Sequence, residues 1–148
     1  MKTELSIDFS QAVVDASVAV KWFSEEIHTD IAERLLARAH RGSLKLYAPD
    51  LLITEVANAL WKGKHFDEAR ITASLQILFD APIELVAPDR ELMVAAVSLM
   101  VSHNLTSYDA LHVALASFLS IPLFTANPKD HDKVKAIRVV NIARLSSD

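Results

Sequence analysis

The feature that most constrains this chain is its regular exchange of short apolar runs for segments with helical periodicity. Ala12-Val13-Val14 is an apolar run ending at Asp15, and the ASVAVKWF that follows reads as a helical turn or two. From Thr29 to about Arg41, Ile31, Ala32, Leu35, Leu36 and Ala39 recur at helical spacing, and Gly42 stands where a C-terminal cap belongs. LKLYA is a second strand, and Pro49-Asp50 opens a helix running to Lys62 that Gly63 can end. A helix over Asp67 to Phe79 follows, then the strand IELVA, then a helix from Asp89 to about His103. Thr106, Ser107 or Asp109 can cap the next helix, which runs to about Leu119; IPLFTA is the fourth strand. The tail holds a short helix near Asp130 to Lys135 and a last strand, IRVVNI.

Strands that are short, apolar on both faces and separated by helices predict a mostly parallel sheet covered on both sides, a three-layer α/β/α sandwich. No repeat, low-complexity tract or linker interrupts the pattern, so the 148 residues are expected to form one domain. Only two glycines fits a largely helical chain, and the absence of cysteine excludes thiolate zinc sites, thiol nucleophiles and a disulfide framework. A cysteine-free chain also suits a reducing compartment, and the cytoplasm is the expected location. The opening MKTELSIDFS lacks the pattern of a secretory signal, and runs such as LMVAAVSLMV are too short to cross a bilayer. A net charge of -4 argues against gripping nucleic acid through a broad basic surface. Any nucleic-acid chemistry would need cations to offset that charge.

Three acids invite a chemical reading. Asp15 ends the first strand, where open parallel sheets collect functional groups beyond the strand carboxyl ends. N-capping of the next helix explains it equally simply. Asp109 falls in a first helical turn, where the helix dipole favours an acid whatever its function. Glu55 has apolar neighbours Leu51 to Ile53 and Val56 to Ala57 and no Lys or Arg four positions away, although a narrow polar face with Asn58 and Lys62 would also account for it. If the three converge, their mutual repulsion requires a cation, and carboxylate oxygens suit Mg2+ or Mn2+. Such an ion activates water and stabilises charge on a phosphodiester.

At these residues the chain resembles the PIN-domain nucleases, specifically the VapC-like toxins of toxin-antitoxin pairs. The resemblance runs through VVDASVAVKWF with Asp15, YAPDLLITEVANALWK with Glu55, SYDALHVALA with Asp109, and PLFTANPKDHDKV. It implies a metal-dependent endoribonuclease with Asp15, Glu55 and Asp109 as ligands of Mg2+ or Mn2+, directly or through water. It further implies an RNA substrate, homodimerisation and a small antitoxin protein seated on an apolar groove near the site. The fourth segment departs from the family, with Asn127 where an acid usually follows the Thr; Asn127 or Asp130 would complete the shell, with Asp132 a weaker substitute. Ser17 and Thr125 resemble positions whose hydroxyls orient the acids, with capping and a strand-end turn as their plainer roles. The departure at Asn127 keeps open a second function, a catalytically weak or inactive PIN-fold module that binds RNA or protein.

Lys62, Lys64 and Arg70 are candidate RNA contacts beside the metal, or a solvated turn. His112, one turn after Asp109, reads as a packed helix histidine, since the metal would already supply the activated water. Trp22, Phe23 and Trp61 read as core or partner contacts ahead of base-stacking platforms. Val94, Val97 and Val101 give the Asp89 to His103 helix a wide apolar face, placing it centrally or in a dimer interface. A phosphoacceptor receiver would need a second acid beside Asp15 and a late Lys, and a dehalogenase-like phosphatase an Asp at Ser17; neither pattern is present.

Overall fold

A computed structural model describes residues 9–128 and 134–145. Strand β1 (Gln11–Val14) leads into α1 (Ala16–Ala19), a 3-10 turn (Val20–Trp22) and α2 (Thr29–His40). Next come β2 (Lys45–Pro49), α3 (Leu51–Asn58) with a π-helical turn (Ala59–Gly63), α4 (Glu68–Asp80) and β3 (Ile83–Val86). Helices α5 (Arg90–His103) and α6 (Ser107–Leu119) precede β4 (Leu123–Thr125), β5 (Val139–Asn141) and a closing 3-10 turn (Ile142–Arg144). The helix predicted near Asp130 to Lys135 falls largely outside the described residues, as do Asp130 and Asp132.

All five strands are parallel, in the order β3-β2-β1-β4-β5. Alternation along each strand divides the core between the two faces. Ala12 and Val14 join Leu46 and Phe124 under α2, with Ile31 and Leu35 packed on them. Val13, Tyr47 and Leu123 point the other way, onto Leu92 and Ala96 of α5 and the buried middle of α6, Ala110 to Ala116. A third cluster joins Ala19 and Ala48 to Leu52 and Val56 of α3, Leu60 of the π turn and Leu78 of α4. The expected three layers therefore form, with the edge strand β3 only partly covered.

Local signals account for most element ends. Asp67 caps α4 through Arg70 N (2.9 Å) and Asp89 caps α5 through Leu92 N (2.8 Å). Of the three caps considered for α6, Thr106 serves, its hydroxyl accepting from Asp109 N at 3.2 Å. Gly42 adopts φ +81° just past α2, as its C-terminal position required. The end of α3 differs in kind. Its winding stops at Gly63 through a π turn in which Lys64 N reaches Ala59 O, and the left-handed residue is His65 (φ 59°), not the glycine.

The sheet order reverses at β1. From there the chain steps outward to β2 and β3, then returns to place β4 on the other side of β1. A crevice forms at such a switch point, beyond the carboxyl ends of the two strands. Asp15 follows β1 directly and Thr125 ends β4, so both stand at its mouth.

Candidate active site

One cleft of about 140 Å3 lies at this switch point, lined by Asp15, Ser17, Glu55, Asp109, His112 and Asn127 together with Ala16. Residues separated by over a hundred positions are thus gathered by topology. Asp15 comes from the end of β1, Glu55 from the inward side of α3, Asp109 from the first turn of α6, and Asn127 from just past β4.

Asp15 is buried, and its Oδ1 accepts from Ser17 N (3.0 Å), Val18 N (3.4 Å) and Ser17 Oγ (2.6 Å). It therefore caps α1 and lines the cleft at once; the two readings of this residue coexist. Ser17 Oγ also accepts from Ala126 N at 2.8 Å and lies 3.2 Å from Thr125 Oγ1, which itself accepts from Asn127 N at 3.0 Å. The two backbone N-H groups can only donate, and Ser17 directs its single hydroxyl proton to Asp15. Thr125 is then left to donate to Ser17. Protons run Thr125 to Ser17 to Asp15, tying β4 to the acid at the end of β1.

Removing the middle of this chain has a defined cost. Ser17→Ala leaves Ala126 N-H without its acceptor and Asp15 without its shortest contact. Stability is expected to fall by about 1–3 kcal/mol. Thermal melting checks this loss, and Ser17→Thr should recover part of it.

Glu55 is half-buried, whereas Thr54 and Asn58 on the same helix are exposed. The glutamate turns inward, toward His112, and does not join the polar face. His112 is 1% exposed, with Nδ1 2.9 Å from Tyr108 O. A carbonyl oxygen only accepts, so Nδ1 carries a proton, and Nε2 faces Glu55 Oε1 at 3.7 Å, beyond hydrogen-bond reach. The sequence reading of a packed histidine holds, but the ring is also a wall of the cleft. The side-chain type one turn beyond Asp109 was the available signal.

Lys62, Lys64 and Arg70 do not line the cleft. Lys62 Nζ lies 4.0 Å over the Trp61 ring and Arg70 stacks 3.6 Å over Phe66. Lys64 pairs with Glu26 at 2.7 Å. Glu26 also takes Lys21 Nζ at 2.8 Å, and Lys21 gives a further bond to Ile27 O at 2.8 Å. Burial alone would raise the Glu26 pKa, but hydrogen bonds from Lys21, Lys64 and Ser24 outweigh it and hold the carboxyl at about 2. This part-buried bridge, which joins the turn after α1 to the end of the π turn after α3, was missed from sequence; a lysine inside the apolar run VAVKWF was its only trace.

Three carboxylates and an amide around one small cleft form a hard-oxygen donor set of the kind divalent cations prefer. The fit is one of chemistry and placement: among the described residues, no three His, Cys, Asp or Glu side chains already stand close enough to grip an ion.

A family profile described as the PIN domain matches residues 12–137, from within β1 to the last turn before β5, and takes in all seven cleft-lining residues. The chain belongs to the PIN-domain family. Ribonuclease VapC3 of Pyrobaculum aerophilum is 32% identical to this PIN domain over 129 residues, covering 84% of this chain and 95% of the relative. Solved structures share the fold. The VapC20 toxin of Mycobacterium tuberculosis, which cleaves the sarcin-ricin loop, superposes with a TM-score of 0.67 at 16% identity, over 82% of this chain and 93% of its own. A toxin-antitoxin complex from Klebsiella pneumoniae gives 0.63 at 20% identity, over 88% and 97%. Among the described residues no helix is long and apolar enough to cross a membrane.

Proposed function

We propose that this PIN domain is a divalent-metal-dependent endoribonuclease acting in the cytoplasm as the toxin of a toxin-antitoxin pair. The observation that carries the proposal is the convergence of Asp15, Glu55 and Asp109 on the cleft at the β1–β4 switch point, in a chain 32% identical to a ribonuclease. Bound Mg2+ or Mn2+ would supply an activated water and offset the charge of the phosphodiester. The three acids hold it; Asn127 adds an uncharged oxygen, and Asp130 is the alternative fourth donor. Ser17 and Thr125 keep Asp15 oriented through their directed hydroxyls. The cation also explains how a chain of net charge -4 approaches a polyanion. Lys62, Lys64 and Arg70 would meet RNA beyond the cleft, with Lys64 contributing least because its charge is already met by Glu26.

The partner surfaces follow from exposed apolar groups. A groove of about 500 Å3 between α3 and α4, walled by Ala57, Trp61, Phe66 and Ile71, suits an apolar segment of a small antitoxin. The face of α5 is not central to the fold: Leu92 and Ala96 are buried, while Val94, Val97 and Val101 point outward, Val101 being 82% exposed. This stripe is assigned to a homodimer. Val97→Glu combined with Val101→Glu is expected to convert a dimer into a monomer in light scattering, with little change in melting temperature; an unaltered mass would remove the stripe from the interface.

Incubating the protein, freed of any bound antitoxin, with circular single-stranded RNA and Mn2+ tests the activity. An endonuclease opens the circle. Asn127, in place of a charged donor, favours one second reading, a noncatalytic module that binds RNA or protein. An intact circle in the presence of folded protein would establish that reading instead.

A further inference from the structure

A broader recess of about 510 Å3 adjoins the acidic cleft and shares two of its walls, Ala16 and Glu55. Its floor is apolar, made by Ala16, Leu51 and Ala59, and its rim carries Thr54, Asn58 and Tyr108. Thr54 and Asn58 are four residues apart on α3 and therefore share a face. Both are exposed. Tyr108 is 57% exposed on the first turn of α6, directly before Asp109. Its backbone is fixed, since Thr106 caps the helix there and His112 Nδ1 bonds the Tyr108 carbonyl at 2.9 Å. An anchored, solvent-facing aromatic thus stands beside the acids, opposite an amide and a hydroxyl.

No Lys or Arg lines this recess, and one wall is a carboxylate. A phosphate with no bridging cation is therefore disfavoured in it. A nucleobase is uncharged, has a face that stacks on an aromatic ring and an edge that pairs with amide and hydroxyl groups. The volume lies within the roughly 300–1,000 Å3 of small-ligand sites. With a scissile phosphate in the cleft, the shared walls put the neighbouring base in the recess. We propose that the recess is a base subsite, with Tyr108 as the stacking platform and Thr54 and Asn58 as the residues that select the base. This assignment rests on the ribonuclease reading.

The test separates binding from cutting. Labelled five-nucleotide phosphorothioate RNAs of A, C, G or U, which resist cutting, are titrated by fluorescence anisotropy with Mn2+ present into the native chain and into Tyr108→Ala, Tyr108→Phe or Asn58→Ala. Tyr108→Ala is expected to weaken binding on the order of 10-fold, the effect of losing one stacked base. Tyr108→Phe should stay within about twofold of its background, because the ring persists. Asn58→Ala should narrow the spread among the four probes. In the otherwise native chain, Tyr108→Ala should raise KM more than it lowers kcat and change the bases flanking the cut, while leaving Mn2+ binding unaltered. Equal binding with and without the ring overturns the subsite even if the native chain cuts RNA. Ring-dependent binding in a chain that never cuts keeps the base subsite and overturns the nuclease reading instead.

Discussion

Asp15→Asn is expected to lower RNA cleavage by at least about 100-fold, the scale of removing one preorganised electrostatic group from a site, without a comparable loss of stability. This side chain both caps α1 and lines the acidic cleft. Its Oδ1 accepts from Ser17 N, Ser17 Oγ and Val18 N, and an amide oxygen of the same shape takes those bonds too. The cap on α1 therefore survives. The negative charge does not, and with it goes part of the attraction that would hold the proposed cation among three acids. Parallel measurement of melting temperature and cleavage rate checks the separation. A folded Asp15→Asn protein that cuts at the native rate would exclude the proposed role of this residue.

Glu26→Ala should produce the largest loss of stability, about 3 kcal/mol, because it leaves the ammonium of Lys21 buried without its carboxylate. Lys21 is only 5% exposed, and Ile27 O would be the remaining acceptor of the contacts described here. For a chain of this size that is a fall of about 10 °C in Tm. The pH dependence has a definite sign. Glu26 is held at about 2 against an ordinary 4.5, so its folded pKa is depressed. Its contribution is complete above pH 4.5 and is lost as pH falls from there toward 2. The stability gap between the native chain and Glu26→Gln should therefore close over that window. Urea melts at pH 7, 4 and 3 would show it, and a gap independent of pH would mean that the carboxylate charge contributes nothing.

The layers and element order were legible because they rest on local periodicity. Ala12 to Val14 could form a strand between helices, and Ile31, Leu35 and Ala39 could only present one helical face. The cap at Gly42 and the helix starts at Asp67 and Asp89 were readable from local residue types, although the structure shows both acids to be caps. What escaped depends on distant contacts. The left-handed residue after α3 is His65 because a π turn shifts the hydrogen bonding by one residue, which no local propensity reports. Lys21 is stable in the interior only because Glu26 folds back onto it. The site followed a similar division. Asp15, Glu55 and Asp109 were each ambiguous as single residues, and each keeps its structural explanation in the fold. Their presence on one cleft comes from strand order, which places β4 beside β1 and brings α3 and α6 to the same end of the sheet. The exposed tyrosine next to Asp109 carried no sequence signal, since most of its neighbours on the recess lie about a third of the chain away on α3.

The central claim is that the acidic cleft holds the divalent cation on which RNA cleavage depends. Its most direct test strips the protein with EDTA, titrates it with Mn2+, and follows bound Mn2+ by electron paramagnetic resonance and cut single-stranded RNA in the same samples. Cleavage should be absent in EDTA and rise in step with bound Mn2+, and Asp15→Asn should lose both. Cutting that persists in EDTA, or Mn2+ binding undiminished by Asp15→Asn together with Glu55→Gln, would contradict the account.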